Sequence, residues 1–301
     1  MDHLHLMNVY VAVAEEQGFA AAARRLGMSP PAVTRAVASL EERLGVKLLN
    51  RTTRFVRTTE AGVRYLEDAR RILADVDAAN EAAAGINAEP RGHLAITAPV
   101  MFGQKYVMPG IVDYLQRYPD TEVDAVFLDR VVNLVEEGLD VGIRIGQLPD
   151  SSMRALRVGS VRVIVCASAG YVKRNRCPLR PEDIKEHTVI TSSAGSLSQD
   201  WHFELEGAPR VVRIHPRLTV TTNDAAIQAA REGFGITRLL SYQASEYLES
   251  GELEIMLEKY EPPALPVHIV HREGRLTSTK VRAFIDLIVE RLRQDKALNY
   301  S

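Results

Sequence analysis

The sequence predicts an α/β protein whose N-terminal part is small and mainly helical, and three observations lead to this prediction. Residues 1–58 contain short amphipathic helices separated by glycine turns. Residues 59–90 carry one long helical stripe of leucine and alanine. From residue 91 onward, short apolar strands alternate with amphipathic helices, which is typical of a largely parallel sheet. A length of 301 residues is sufficient for more than one domain.

The composition excludes several classes of protein. With 46% hydrophobic and 25% charged residues, the chain is neither disordered nor collagen-like. No apolar run reaches the roughly 18 residues of a membrane helix, and the N-terminus lacks the pattern of a secretory signal. Cys166 and Cys177 are too few for a disulfide framework or a four-cysteine zinc site. We therefore expect a soluble cytoplasmic protein without metal or cofactor and without a membrane partner.

The charge is distributed unevenly along the chain. Residues 20–60 hold eight basic and three acidic residues, which gives this segment a net charge of +5. Because the whole chain has a net charge of −2, the other residues together carry −7. A basic N-terminal part on an acidic body favours contact with nucleic acid at one end.

The N-terminal helices have the pattern of a helix-turn-helix. A first helix through Leu4 and Val11 precedes a short helix over 20–26, which Gly27 ends in the left-handed conformation. Ser29 is placed as the N-cap of the next helix, and Pro30 follows at the first helical position. That helix is expected to end at Leu44, before a glycine. The short turn between the two helices completes the motif.

The second helix of the motif has two different faces. A stripe at spacings of three and four is predicted to be buried, namely Val33, Val37, Leu40 and Leu44. The opposite face carries Pro31, Thr34, Arg35 and Ala38, which are small enough to approach the floor of a major groove. The alternative interpretation is an ordinary solvated face of a helical bundle.

A basic hairpin is predicted directly after this helix. The run VKLLNRTTRFVRTTEAG reads as strand, turn and strand, and it carries Arg51, Arg54 and Arg57. A hairpin in this position is the wing of a winged helix, whose arginines reach phosphates or a narrow minor groove.

A long helix follows the wing, and Thr59 is suited to cap it. About 29 residues at 1.5 Å each give a helix of roughly 43 Å. Its narrow seam favours pairing with a second copy of the chain. The seam consists of Leu66, Ala69, Leu73 and Val76. Packing of this helix onto its own chain is the alternative.

The remaining residues read as two α/β lobes. Strands are predicted at HLAITAP, TEVDAVF, DVGIRIG, RVIVCAS, TVITSS, RLTVTTN and LPVHIVHRE, with helices at GQKYVMPGIVDYLQRYP and VNLVEEG. Further helices are predicted near 169–174, over 224–232 and over 277–294. Ligands bind beyond the carboxyl ends of strands in such folds, so a cleft between the lobes is the expected ligand site.

The N-terminal run FAAAARRLGMSPPAVTRAVASLEERLGVKLLNRTTRFVRTTEAG resembles the winged helix of the LysR-type transcriptional regulators. Leu49 and Thr34 differ from the residues usual in the family, but both changes preserve the chemistry. The resemblance implies double-stranded DNA as a partner. It places Ser29, Pro30 and Pro31 at the groove entrance, Thr34 and Arg35 on bases or nearby phosphates, and Arg51 and Arg54 on the wing.

The C-terminal part is similar to the LysR effector domain, a two-lobed fold like the type 2 periplasmic binding proteins. The resemblance rests on RGHLAITAP, EEGLDVGIRIG and TTNDAAIQAAREGFGIT. It implies DNA binding by 1–58, pairing by 59–90 and effector binding by 91–301, with one lobe at 91–160 and 266–301 and the other at 161–265. It also implies a homodimer and a homotetramer.

The resemblance points to a small-molecule effector between the lobes. Its expected contacts are Val100, Met101, Phe102, Arg144, Ser193, Thr222 and Asn223. The turn at Val100 places backbone N–H groups where an anion is favoured. Met101 replaces a hydroxyl common in the family, which favours an aromatic or partly apolar effector, and Arg144 leaves room for one anionic or carbonyl group. Met101 and Phe102 in the core, and Arg144 in a structural ion pair, are the alternatives.

An enzymatic function is disfavoured because catalytic and phosphate-binding motifs are missing from the sequence. Cys166 lies in an apolar run and is expected to be inert, whereas Cys177 has basic neighbours and is a candidate reactive thiol. We therefore predict an effector-responsive, sequence-specific DNA-binding regulator. The alternative is a solute-binding or enzymatic α/β protein whose basic N-terminal domain serves assembly.

Overall fold

The computed structural model describes residues 2–51, 56–84, 89–148, 153–194, 199–272 and 278–298. These residues form two compact units. The first consists mainly of the chain up to Pro90, and the second mainly of the chain from Arg91 onward. No helix among the described residues has the length and apolarity needed to cross a membrane.

The first unit contains three short helices, a hairpin and one long helix. In chain order these are α1 (His3–Glu15), α2 (Phe19–Arg25), α3 (Pro30–Leu44), β1 (Leu49–Arg51), β2 (Val56–Thr58) and α4 (Glu60–Ala84). β1 and β2 pair antiparallel, as expected for a wing. Gly27 and Gly45 adopt the left-handed conformation that ends α2 and α3 (φ 62° and 66°).

The core of this unit lies between α1, α2 and α3. Val33, Val37 and Leu40 of the predicted stripe are fully buried. Leu44 is 37% exposed, so its predicted burial is wrong. The reason is that α3 ends there, and the buried position on its last turns is taken by Glu41.

Glu41 ties helix α3 to the hairpin of β1 and β2. One of its carboxylate oxygens accepts hydrogen bonds from the backbone N–H groups of Leu48 and Leu49 (3.0 and 3.1 Å), and the other accepts one from Nζ of Lys47 (2.8 Å). The Glu41 carboxylate is almost completely buried. Burying a carboxylate without hydrogen-bond partners costs free energy, and these three bonds offset that cost. The wing therefore starts from a fixed point on α3.

The start of α4 is joined to the wing through Thr59 and Gly62. Oγ1 of Thr59 caps the helix by accepting from N–H of Gly62 (2.9 Å) and donates to the carbonyl of Lys47 (2.7 Å), as the sequence predicts for the cap. Tyr10 donates its hydroxyl hydrogen to the carbonyl of Gly62 (2.7 Å). A Cβ at position 62 meets the backbone of Leu48, so this close approach requires glycine.

Part of the seam predicted for pairing faces the same chain. Ala69 is fully buried against Met7 and Val11 of α1, and Leu66 and Leu73 pack beside it, partly buried. The assignment of Ala69 to an intermolecular contact is therefore wrong, because α1 already covers it. Val76 lies further along α4 and is partly exposed.

The second unit continues the numbering. Its first elements are β3 (Gly92–Ala98), α5 (Val100–Phe102), a π-helical turn (Gly103–Val107), α6 (Met108–Arg117), β4 (Thr121–Phe127), β5 (Val141–Ile145) and β6 (Met153–Val161). They are followed by β7 (Val163–Ser168), α7 (Ala169–Asn175), a 3-10 turn (Pro181–Glu186), β8 (Val189–Ser192), β9 (Asp200–Leu205) and β10 (Ala208–Arg213). The last are β11 (Leu218–Val220), α8 (Asn223–Arg231), β12 (Ile236–Leu240), α9 (Ser241–Glu249), β13 (Leu253–Met256), a 3-10 turn (Glu258–Tyr260), β14 (Leu265–Arg272), α10 (Thr279–Gln294) and a final 3-10 turn (Lys296–Leu298).

Two five-stranded sheets organise this unit. We call the sheet of order β4-β3-β5-β14-β6 the first lobe and the sheet of order β11-β8-β12-β7-β13 the second lobe. The prediction of largely parallel sheets is only partly right. β3 runs parallel to β4 and β5, but β14 is antiparallel to its neighbours, and in the second lobe β7 is antiparallel to β12 and β13. Antiparallel pairs arise because the chain crosses between the lobes and returns.

Several elements differ from the prediction. Residues 134–138 form a single turn rather than the predicted helix. Gly138 adopts the left-handed conformation (φ 65°), and N–H of Leu139 bonds back to the carbonyl of Leu134 (2.8 Å), which ends the segment after one turn. Strands β6 and β13, the β9–β10 hairpin and helix α9 were not predicted. The closing helix α10 agrees with the prediction: its apolar stripe is buried, with Val281, Phe284, Ile285, Ile288 and Leu292.

Candidate functional site

The first turn of α3 presents a small, exposed surface. Ser29, Pro30 and Pro31 are all exposed, and the Ser29 hydroxyl makes no capping bond to the helix. The two prolines have no N–H, and N–H of Ala32 and Val33 bond to the carbonyl of Ser29 (2.9 and 3.1 Å). Within residues 30–33, no backbone donor is left for a phosphate, so a polyanion bound at these residues must be held by side chains.

Thr34 and Arg35 offer different chemistry on this turn. Oγ1 of Thr34 donates its hydrogen to the carbonyl of Pro30 (3.0 Å), which leaves the hydroxyl lone pairs and the methyl group for a partner. Arg35 is exposed, and its side chain has no hydrogen bond or ion pair to any described residue. Arg35 is therefore available as a donor to base edges or phosphates.

The wing is described only in part. Leu49–Arg51 and Val56–Thr58 are paired, but Arg54 and the side chain of Arg51 lie outside the described residues. Arg57 is exposed on β2, and Arg43 is exposed near the end of α3. The basic residues with acidic partners are different ones: Arg25 pairs with Glu15, and Lys47 with Glu41.

In the second unit, the turn after β3 is already bonded by a carboxylate of the chain. N–H of Val100 donates to a carboxylate oxygen of Asp129 (3.0 Å), two residues beyond the end of β4. This differs from the expectation of a vacant anion site at the turn. Partial burial raises the pKa of Asp129, the bond from Val100 lowers it, and the nearby Asp224 raises it again.

Met101 and Phe102 have different surroundings. Phe102 is fully buried, and its ring lies 4.9 Å from that of Tyr106 and 5.2 Å from that of Tyr242. Its placement at the effector is wrong, because the aromatic cluster encloses it in the core. Met101 is partly exposed and packs against the apolar cores of both lobes. Of the two residues, only Met101 has surface left for a ligand.

Most of the other predicted effector residues form hydrogen bonds within their own lobe. Arg144 donates to the carbonyls of Val132 (2.9 Å) and Ile143 (3.1 Å), which gives it a structural role within its lobe. Oγ of Ser193 donates to the carbonyl of Val220 (3.3 Å). Thr222 caps α8 by accepting from N–H of Ala225 (3.3 Å), and Asn223 is the partly exposed first residue of that helix.

Asp129, Asp224 and Tyr242 were missed by the sequence analysis. Asp224 contributes to the raised pKa of Asp129, and burial together with both carboxylates raises the pKa of the Tyr242 hydroxyl. The structure thus joins the end of β4, the turn at Val100 and the start of α8. A signal for Asp129 exists in the sequence, because it follows the carboxyl end of a strand next to β3.

The cysteines have no thiolate character. Burial raises the pKa of Cys166 to about 12, and burial together with Glu254 raises that of Cys177. A raised pKa keeps Cys177 a thiol at neutral pH, so its basic sequence neighbours do not activate it.

Two family descriptions match the chain. Residues 4–63 match "Bacterial regulatory helix-turn-helix protein, lysR family", and residues 87–293 match "LysR substrate binding domain". Together they cover both compact units, and the second alone spans more than half of the chain.

The relatives of this chain are named as regulators. The HTH-type transcriptional activator AaeR of Escherichia coli (strain K12) is 32% identical, over 96% of this chain and 94% of its own. The solved structure of CrgA, a LysR-type transcriptional regulator from Neisseria meningitidis, is 29% identical with a TM-score of 0.61 over 96% of this chain and 98% of its own. The Vibrio cholerae virulence activator AphB is 25% identical with a TM-score of 0.62 over 96% and 99%.

Proposed function

The chain belongs to the LysR family of transcriptional regulators, and from this premise we propose which of its residues read DNA, pair the chains and bind the effector. Members of the family are regulators rather than enzymes; they bind DNA and small-molecule effectors, and they form oligomers. The proposed division is DNA binding by 1–58, pairing by 59–90 and effector binding by 91–301.

The first turn of α3 is the proposed reading surface. Thr34 and Arg35 contact base edges, Ser29, Pro30 and Pro31 lie against the groove entrance, and Arg51 and Arg54 hold phosphates from the wing. The exposure of Arg35 without a partner among the described residues carries this proposal. Because the Thr34 hydroxyl already donates to Pro30, it accepts from an amino group of a base or packs its methyl group on thymine.

A titration of DNA binding tests the reading surface. Fluorescence anisotropy with the promoter region beside the protein's own gene is compared with a scrambled duplex at several salt concentrations. Specific binding exceeds binding to the scrambled duplex by about 10³-fold or more for such proteins. Equal affinity for both duplexes contradicts sequence-specific recognition by this chain.

A homodimer through α4 is the proposed assembly, with tetramers formed by association of dimers. Because α1 covers Ala69, the contact between chains is assigned to Leu73, Val76 and the turns that follow rather than to the start of the helix. The partial exposure of Leu73 and Val76 supports this assignment. Dimers place two recognition helices on one duplex, which a single winged helix cannot do.

The effector is proposed to bind where Val100, Met101, Asn223 and Asp129 lie. The bond from N–H of Val100 to Asp129 supports the choice of effector chemistry. The turn favours an anion, and the carboxylate of Asp129 already occupies that position. A second carboxylate there faces repulsion from Asp129 and Asp224. We therefore infer an aromatic or otherwise largely apolar effector with a hydrogen-bond donor for Asp129, its apolar part on Met101.

A thermal-shift screen of small aromatic amines, phenols and lactones tests the effector assignment. A ligand at 100 times its Kd adds about 2.7 kcal/mol to the stability of the protein. Asp129→Asn is expected to remove this gain for donor ligands, whereas Asp124→Asn, an exposed carboxylate paired with His93, keeps it. A donor ligand that stabilises Asp129→Asn as strongly as the wild type overturns the assignment.

A further inference from the structure

Arg238 of the effector domain packs against two aromatic rings and lacks a carboxylate partner among the described residues. Arg238, in the middle of β12, is partly buried. Its Cζ lies 6.0 Å from the ring centroid of Trp201 and 5.8 Å from that of Phe203, both on β9. One Nη donates to the carbonyl of His202 (3.0 Å). These contacts hold the β9–β10 hairpin against the sheet.

Arg238 has no carboxylate partner among the residues that the structure describes. Burial lowers its pKa to about 10, with no neighbouring acid to counter the effect, yet the group stays charged at neutral pH. A guanidinium has five N–H donors, and the bond to His202 uses one of them. Buried cations are normally paired, because desolvating an unpaired charge is costly. The matched case is Arg231, which stacks on Tyr247 but is paired with Glu252.

Two hydroxyl groups lie in the same row of the sheet as Arg238. Ile236 and Thr237 of β12 are in register with Val189 and Ile190 of β8. Continuing this register by one residue sets Arg238 next to Thr191, at an inter-strand spacing of about 4.8 Å. Thr191 is in register with Thr219 of the edge strand β11, and their hydroxyl oxygens are 3.2 Å apart. Thr219 is exposed, Thr191 and Arg238 are partly buried, and the row thus leads inward from the edge of the sheet.

We propose that Arg238, Thr191 and Thr219 form a binding site for a small organic carboxylate, separate from the effector site between the lobes. The planar guanidinium matches a carboxylate in a bidentate arrangement. Thr191 and Thr219 are hydrogen-bonded to each other, so one of the two hydroxyls remains to donate to a carboxylate oxygen. Trp201 and Phe203 are buried, so their rings position the guanidinium rather than contact the ligand.

The protein contains its own reporter for this site. Trp201 is the single tryptophan of the chain and contacts Arg238 directly. Titration of the full-length protein with sodium benzoate, at constant ionic strength against sodium chloride, is expected to change the Trp201 fluorescence saturably. Arg238→Met weakens the binding about tenfold or more, because it removes a charge-assisted bond.

Matched variants distinguish this site from the effector site and from a general effect of surface charge. Arg231→Met, which removes the paired arginine, and Asp129→Asn, which alters the proposed effector site, are both expected to leave the benzoate response unchanged. If Arg238→Met does not fold, Thr191→Val replaces it. Valine is close in shape to threonine and keeps the stack of Arg238 on the hairpin, so the loss of the hydroxyl is expected to weaken binding severalfold.

Three results overturn the proposal. One is the lack of a saturable response in the wild-type protein. Another is equal binding by the wild type and by the Arg238 and Thr191 variants. The third is a response that depends on protein concentration and accompanies dissociation of the oligomer, which assigns Arg238 to a carboxylate of a second copy instead.

Discussion

At the scale of single residues, the reading surface depends on which groups the fold leaves unsatisfied. The first turn of α3 has no backbone donor to offer, and its threonine hydroxyl has already donated. Under the proposed assignment, discrimination between bases is expected to depend mainly on the guanidinium of Arg35, the side-chain donor on this turn without a partner among the described residues.

Replacing Arg35 tests this directly. Arg35→Ala is expected to reduce the discrimination between operator and scrambled DNA by about 1–3 kcal/mol, the value of a good contact to a base edge. Arg43→Ala removes the same charge eight residues later on the same helix; we expect it to weaken binding to both duplexes while preserving their ratio. The ratio of affinities from anisotropy decides between the roles, and an unchanged ratio for Arg35→Ala removes it from the reading surface.

The carboxylate of Glu41 contributes to the stability of the DNA-binding unit in a way that depends on pH. Burial by itself raises the pKa of Glu41, but the bonds from Lys47, Leu49 and Leu48 outweigh it, so the pKa lies below the ordinary 4.5. A carboxylate with a lowered pKa stabilises the folded state above its unfolded pKa and loses this contribution as the pH falls towards its folded pKa.

Glu41→Gln is accordingly expected to lose about 1.5–3 kcal/mol in the free energy of unfolding at neutral pH. The difference from the wild type should shrink as the pH is lowered through and below 4.5, because the wild-type carboxylate becomes protonated. Urea unfolding at a series of pH values measures this, with the exposed Glu42→Gln as control. A deficit that does not depend on pH shows that the charge of Glu41 is not what holds the wing.

At the scale of elements, helix α4 is assigned two roles, support of its own chain by its first turns and the proposed pairing by its later turns. Its first turns are held by the wing and by α1. Gly62 accepts the hydroxyl hydrogen of Tyr10, and Ala69 packs against α1. The carboxylate of Glu15, at the end of α1, accepts from the guanidinium of Arg70 on α4 (2.7 Å). Leu66, Leu73 and Val76 are each partly exposed, but Leu66 also packs against the core between α1, α2 and α3. Substitutions meant to separate chains therefore belong in the later turns, because Leu66 also supports the fold of its own chain.

Leu73→Glu combined with Val76→Glu is expected to dissociate the dimer while the DNA-binding unit stays folded. Two buried carboxylates on each chain without partners cost several kcal/mol at such an interface. Operator affinity should fall together with the association, since one winged helix buries little DNA surface. Sedimentation velocity measures the assembly, and Arg71→Glu, on the far side of the helix, is the control. An unchanged oligomer assigns pairing to another surface.

At the scale of the whole effector domain, the chain passes between the lobes twice, and Arg162 lies at the first passage. Its guanidinium donates to both carboxylate oxygens of Glu261 (2.7 Å each) and to Glu258 (2.7 Å), just before the return passage. Its backbone exchanges hydrogen bonds with Ser241 at the start of α9. One side chain thus fixes both connections, which limits how far the lobes rotate about them.

Arg162→Met is expected to lower the free energy of unfolding of the effector domain by about 2 kcal/mol, a value between those of exposed and buried ion pairs. The reason is that the Glu261 side chain, which is only 13% exposed, loses its partner. The substitution should also change the effector affinity, because the two passages gain freedom. Scanning calorimetry and the thermal-shift titration measure these effects. Arg231→Met, an exposed pair, is expected to change neither; if Arg162→Met behaves like it, the passages are held by other contacts.

The sequence alone was sufficient for the features that depend on local chemistry. The ends of α3, the left-handed glycines, the Thr59 cap, the wing strands and the stripe of α10 follow from spacing and capping within a few residues. The resemblance supplied the division into a DNA-binding and an effector part, which the family matches show.

The features that the sequence could not determine depend on contacts between distant residues. Asp129 bonds to Val100 29 residues away, and Arg162 to Glu261 99 residues away, so neither pair has a local pattern. The mixed sheets, the buried Phe102 and the covered Ala69 were decided by which elements pack together. A periodic stripe shows that a face is apolar, but only the tertiary structure decides whether the same chain or a partner covers it.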